Sequence, residues 1–182
     1  KFLTLGLAAI MAVSMVGCVN QHPEEANGTA ASSDDVRIVA TSPATADICD
    51  RLELDLVGVC SSTLSTIPER YKDVTQIGTA MSPDLEILKS LKPDYVLSPS
   101  SLQSDLQPKY ESIGVNSIFL NLKSVEGMYA SISDLGQKFD REEQAQALVD
   151  EFNAFMEEYK KKNEGKESPR VLVLMGLPGS YI

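Results

Sequence analysis

The chain has 182 residues, of which 43% are hydrophobic and 23% charged, with a formal net charge of −10. That is ordinary globular composition, able to bury one good core. The acidic balance, with no Lys/Arg cluster on an expected binding face, argues against nucleic acid as a partner.

Phe2 to Val16 form an apolar run broken only by Thr4, Gly6 and Ser14. At about 15 residues it suits the core of a signal peptide and falls short of the roughly 20 that a membrane-spanning helix needs. The run ends in Met15-Val16-Gly17-Cys18, the pattern of a lipobox, in which the cysteine is acylated and becomes the mature N-terminus. Residues 1–17 are therefore expected to be a lipoprotein signal peptide, and residues 18–35 a flexible tether with almost nothing to bury. The folded part is expected on the extracytoplasmic face of the cell membrane, lipid-anchored through Cys18. The chain opens on Lys1 and stops at Ile182 just after a strand-like run, so it is expected to be a fragment at both ends.

From Val36 onward strands and helices alternate. Arg37 to Ala40 reads as a short strand, and Ser42 as the cap of a helix with Pro43 at its first position. Ala44, Ile48 and Leu52 give that helix one apolar face. Leu56 to Val59 is a second strand, and Ser61 to Asp73 is polar and irregular. Ser82-Pro83 repeats the cap-plus-proline start, followed by Leu85, Leu88 and Leu91. Asp94 to Leu97 is a third strand, a helix follows near Leu102–Ile113, and another strand covers Ser117–Leu120. From Ser124 the pattern is helical. One segment ends near Phe139, and a second starts with a capping-box pattern at Asp140 and Glu143. Its stripe from Ala145 through Leu148, Phe152 and Phe155 to Tyr159 runs for about 22 residues, or roughly 33 Å. Lys160 to Lys162 then fall in its last turn, where they complement the helix dipole. Arg170 to Met175 reads as a buried parallel strand.

Such alternation predicts a parallel sheet, with ligands bound beyond the carboxyl ends of its strands. The loops at that end are Thr41–Ala44, Ser61–Thr66, Ile77–Ser82, Ser98–Ser101 and Gly176–Tyr181. The expected divisions are an N-terminal α/β lobe over 36–123, a helical segment over 124–165, and the start of a second lobe over 170–182.

No catalytic constellation is visible. The only histidine, His22, lies in the tether. Gly176-x-x-Gly179 lacks the Gly-Lys-Ser/Thr of a phosphate loop, and there is no nucleophile elbow or zinc-protease motif. With no histidine nearby and no CxxC pattern, neither Cys49 nor Cys60 looks like a metal or catalytic site. They read as two buried thiols, with a disulfide as the alternative.

The positive signal is Ile77 through Glu86 together with Leu91-Lys92-Pro93-Asp94. The pattern made by Pro83, Leu85, Glu86 and Leu91 to Asp94, following a lipobox and a βα unit, resembles the substrate-binding proteins of iron-chelate and cobalamin importers. The resemblance narrows to the haem-binding lipoproteins of iron-regulated surface determinant systems. The stretches that carry it are Arg37 to Thr41, Leu54 to Gly58, Arg70 to Val74, Met81-x-Pro83 and Val171 to Tyr181.

The resemblance implies an α/β fold of two Rossmann-like lobes bridged by a long helix, a helical-backbone substrate-binding protein whose second lobe is truncated here. It implies a haem receptor that delivers its cargo to an ABC importer permease, takes haem from haem-donating surface proteins, and has no enzymatic activity. It places Met81 as an axial ligand of the haem iron, with a histidine beyond Ile182 on the opposite face. A thioether is a soft, neutral ligand suited to that task. Met81 also has a structural reading, as a hydrophobic staple on the fourth helical residue, although Glu86 at that position is a poor partner. The haem propionates are expected between Ser42, Pro43 and Ala44 at a helix start and the loop Ser62, Thr63 and Leu64, which offer hydroxyls and backbone N–H groups. Tyr181 is expected to approach from the hinge side. Glu86 is placed for docking to permease arginines, against the alternative of a solvated helix glutamate. The rival ligands on this fold are a ferric siderophore or cobalamin. The loops are rich in Ser, Thr, Pro and Met rather than Arg, Lys and rings, which suits haem better. Rival classes are a surface-tethered hydrolase or nucleotide-binding enzyme, and an adhesion domain.

Overall fold

A computed structural model describes residues 36–172, 176–177 and 180–181, all within one compact unit, Ala31–Ile182. The expected signal peptide, Cys18, the tether and His22 lie outside the described residues, as do Val173 to Met175.

Five strands form one parallel sheet: β1 (Ile38–Ala40), β2 (Leu56–Val59), β3 (Thr75–Gln76), β6 (Tyr95–Pro99) and β7 (Asn116–Leu120), in the order β3-β2-β1-β6-β7. Between β3 and β6 come a hairpin, β4 (Gly78–Thr79) and β5 (Ser82–Pro83), and helix α2 (Leu85–Leu91). The other helices are α1 (Pro43–Arg51), α3 (Gln103–Ser112), α4 (Val125–Lys138) and α5 (Glu142–Asn163). A second hairpin pairs β8 (Gly176–Leu177) with β9 (Ser180–Tyr181).

The sheet is buried on both faces, as a parallel sheet must be. Ile38, Ala40, Leu56, Val59 and Leu97 face a cluster with α1, α4 and α5 that includes Ile48, Leu52, Ile132, Leu135 and Leu148. Val39 and Val96 point the other way, onto Leu88 of α2 and Leu106 and Tyr110 of α3. This alternation is the period-two geometry of a strand.

Three helices end in the same hydrogen-bonded pattern, with a left-handed residue just past the helix. Glu53 (φ 55°) ends α1, where Leu54 N–H reaches the Cys49 carbonyl at 2.9 Å. Gly114 (φ 73°) ends α3, where Val115 N–H reaches the Tyr110 carbonyl at 3.1 Å. Asp140 (φ 53°) ends α4, where Arg141 N–H reaches the Gly136 carbonyl at 2.8 Å. Asp140 is thus the terminator of α4 and not the cap of α5, whose N-cap is Arg141 with no side-chain cap bond.

Two further expectations are corrected. Ser82 does not cap α2. Ser82 and Pro83 belong to the hairpin, and Asp84 is the cap, accepting from the N–H groups of Glu86 (2.9 Å) and Ile87 (3.0 Å). Arg170 to Leu172 are not a buried strand: Val171 and Leu172 are exposed and have no ladder partner among the described residues. The apolar stripe of α5 is buried at Ala145 and Leu148, whereas Phe155 is 64% exposed and Tyr159 57%. Between α4 and α5 runs an apolar groove of ≈ 350 Å³, lined among others by Met128, Tyr129, Phe152 and Phe155. The Tyr129 hydroxyl there is buried with no partner among the described residues.

Candidate functional site

The strand order reverses at β1, which pairs with β2 on one side and β6 on the other. Between the carboxyl ends of β1 and β6 the two backbones diverge into different loops, and ligands of open parallel sheets bind in such crevices. Thr41, just past β1, and Ser98, near the end of β6, meet there: their hydroxyls are 2.8 Å apart and both residues are fully buried. The Tyr110 hydroxyl of α3 lies 3.2 Å from the Ser98 hydroxyl. Burial pushes the Tyr110 phenol above its ordinary range, against the hydrogen bonds it shares with Ser98 and Thr41, so it remains a proton donor. This polar chain forms a fixed floor.

Above it, Ser42 caps α1 and Pro43 is the first helical residue, as the sequence indicates. The cap is reciprocal. Ser42 Oγ accepts from Thr45 N–H at 3.2 Å, and Thr45 Oγ1 accepts from Ser42 N–H at 3.0 Å. Ser42 is therefore occupied and buried, and Pro43 carries no N–H. The helix-start donor with no intrahelical carbonyl to reach is the N–H of Ala44, which is exposed.

The second loop differs from the expectation. Ser62 Oγ accepts from the N–H groups of Leu64 (3.2 Å) and Ser65 (3.0 Å), folding the loop on itself. Leu64 cannot offer its N–H to a carboxylate while that bond stands. The exposed Thr63 remains as a donor of this loop, beside the hydroxyl proton of Ser62.

Met81 is the second residue of the two-residue turn between β4 and β5. The hairpin grows directly from the end of β3. Ile77 N–H donates to the Val59 carbonyl at 2.9 Å, Asp84 N–H closes on the Ile77 carbonyl at 2.7 Å, and Ser61 N–H donates to the Gly78 carbonyl at 2.8 Å. Gly78 has φ 90°, which a side chain would strain. Met81 is 77% exposed at the tip. It is not a staple: with Asp84 as cap, those positions fall to Pro83 and Leu88, both buried. Sequence reasoning missed this hairpin because its strands are two residues long and carry no apolar alternation.

Glu86 is exposed in the first turn of α2. Tyr181 pairs with Gly176 in the second hairpin, and its side chain lies outside the described residues. The α4–α5 groove contains none of the expected site residues. Among the described residues no group of three His, Cys, Asp or Glu is placed to hold a metal ion, and no helix is long and apolar enough to cross a membrane.

The family profile described as "Periplasmic binding protein" matches residues 38–182. The chain belongs to the periplasmic binding protein family. Within that family it is 38% identical to the high-affinity heme uptake system protein IsdE of Staphylococcus aureus strain Newman, over 100% of this chain and 60% of that protein. The chain thus spans about 60% of the length of this curated relative. Among solved structures of the periplasmic binding class, it superposes on an ABC transporter substrate-binding protein from Listeria monocytogenes EGD-e. The TM-score is 0.74 at 43% identity, covering 80% of this chain and 56% of that one. It also superposes on S. aureus IsdE complexed with heme, with a TM-score of 0.75 at 41% identity, covering 81% and 57%. The expected family and α/β fold class are both borne out.

Proposed function

We propose that this chain is part of a lipid-anchored haem receptor that captures haem and hands it to the permease of an ABC importer. The observation that carries this reading is Met81, a soft neutral donor held in solvent at the tip of a hydrogen-bonded hairpin. An exposed thioether on a braced turn adds little to the core of its own domain, so its position answers to a ligand rather than to packing. The S. aureus relative IsdE, similar both in sequence and in its structure complexed with heme, supports the choice of haem. Met81 supplies one axial ligand, and a thioether raises the reduction potential of the iron it binds. Ala44 N–H and Thr63 receive the propionates, with the α1 dipole favouring negative charge. Cys18 holds the assembly to the membrane, Glu86 docks to the permease, surface proteins donate haem, and no covalent chemistry occurs.

The test is a visible spectrum of the full reading frame, started after Cys18 and purified with haem, beside Met81→Ala. A six-coordinate low-spin spectrum in the parent that is lost or altered in the variant supports the reading. A parent that stays colourless ends it and moves a siderophore or cobalamin ligand to first place.

A further inference from the structure

Leu64 is 87% exposed, the most exposed large apolar side chain among the described residues; Leu172 near the chain's end follows at 82% and Met81 at 77%. Leu64 and Met81 lie on separate segments that share one hydrogen bond. Leu64 follows Ser61 by three residues and Met81 follows Gly78 by three, and Ser61 N–H donates to the Gly78 carbonyl at 2.8 Å. Both segments are internally braced, the first by Ser62 Oγ on the N–H groups of Leu64 and Ser65, the second by the Asp84–Ile77 bond that closes the hairpin. A lone exposed leucine on a surface needs no explanation. A leucine fixed on a braced loop, joined to the loop that presents an exposed thioether, is a different matter. Its side chain gains nothing from its own core, and ordering it on a ligand requires little further loss of backbone freedom.

We propose that Leu64 is an apolar contact for the porphyrin ring, a binding residue acting through its side chain and not through its N–H. The proposal rests on the haem reading. It divides the rim into an apolar part, Leu64 and Met81, that meets the macrocycle, and a polar part, Ala44 and Thr63, that meets its carboxylates. Leu64 recognises the ring's hydrocarbon surface irrespective of the metal, whereas Met81 recognises the iron.

The experiment uses the full-length protein and two probes, haem and iron-free protoporphyrin IX, with Leu64→Asn and Leu64→Met beside Met81→Ala. Leu64→Asn is expected to speed transfer of haem to apomyoglobin by about tenfold, from the loss of one side chain's apolar burial, and to weaken protoporphyrin binding by a similar factor. Its haem spectrum and thermal midpoint should match the parent's, and Leu64→Met should restore retention. Met81→Ala should alter the haem spectrum and weaken haem retention more than it weakens protoporphyrin binding. Parent-like haem retention in Leu64→Asn overturns the Leu64 assignment while leaving the haem reading intact. So does a loss of the low-spin spectrum in that variant, which would place Leu64 in support of the iron ligand. A parent that binds neither probe overturns both.

Discussion

Thr41 and Ser98 share a hydrogen bond whose direction is fixed by a third group. The Thr41 hydroxyl donates to the Leu97 carbonyl at 3.2 Å, so its oxygen must accept from Ser98 across the 2.8 Å contact. Ser98 in turn accepts from the Tyr110 hydroxyl. The chain runs one way, from α3 through β6 to the residue after β1. Removing the middle member disturbs the most: Ser98→Ala takes one hydrogen-bond partner from the buried Tyr110 hydroxyl and another from Thr41. It should destabilise by about 1–3 kcal/mol, against about 0.5–1.5 for Tyr110→Phe. Urea unfolding of the two variants checks the ranking, and equal midpoints would contradict the direction assigned.

Gly78 and Gly114 both have positive φ, but only one has a wall beside it. A Cβ on Gly78 would stand 2.9 Å from the Ser82 carbonyl oxygen, inside the hairpin that carries Met81, whereas a Cβ on Gly114 meets nothing within 4 Å. Gly114→Ala should cost about 1 kcal/mol in stability and leave haem binding alone. Gly78→Ala should be worse by about 1–2 kcal/mol and should also perturb the low-spin haem spectrum, since the turn must shift. Parallel thermal melts and visible spectra separate the two.

Cys49 and Cys60 are free and buried, and desolvation pushes their thiols up to about 12 and about 11 from 9.0. In the native protein both should resist thiol reagents at pH 8 and react only after unfolding. The same shift makes stability pH-dependent. The unfolded chain loses the Cys49 proton from pH 9.0 upward while the folded chain keeps it, so folding is favoured less as pH rises from 9.0 toward about 12. Cys49→Ala should flatten that alkaline decline, as read from thermal midpoints across the range.

Glu86 is exposed at the start of α2 and is proposed to dock to the permease rather than to hold haem. Glu86→Lys should therefore lower haem uptake in cells several-fold while leaving haem retention by the purified protein unchanged. Normal uptake would make Glu86 a solvated helix residue.

Most of the sheet was legible because its central strands are continuous apolar runs, and the helices because their buried faces recur at three and four residues. What escaped depended on partners distant in sequence. Thr75 and Gln76 are exposed and become a strand only through pairing with Gly58 and Val59. Ser82 and Asp84 are equally good caps by residue type, and the hairpin pairing of Thr79 with Ser82 decides between them. Asp140 carries both a capping and a left-handed preference, and the bond from Arg141 to Gly136 selects the second. At the site, Ser42 could be picked out by local pattern, and Met81 by the resemblance to haem-binding lipoproteins. That Leu64 has its N–H turned inward could not, because Ser62 performs that turn through its own side chain.

The sheet order also dictates a sequence of events in time. β1 is the first strand of the described chain and lies in the middle, with β2 on one flank and β6 on the other. A polypeptide delivered N-terminus first, from a ribosome or through a translocation pore, presents β1 and β2 long before Tyr95 to Pro99 arrive. Until then one edge of β1 stays open and Val39 lacks Val96 beside it. The domain therefore cannot close strand by strand as it emerges. Its sheet stays incomplete until Tyr95 to Pro99 have been delivered, which leaves an apolar edge for holding factors to guard.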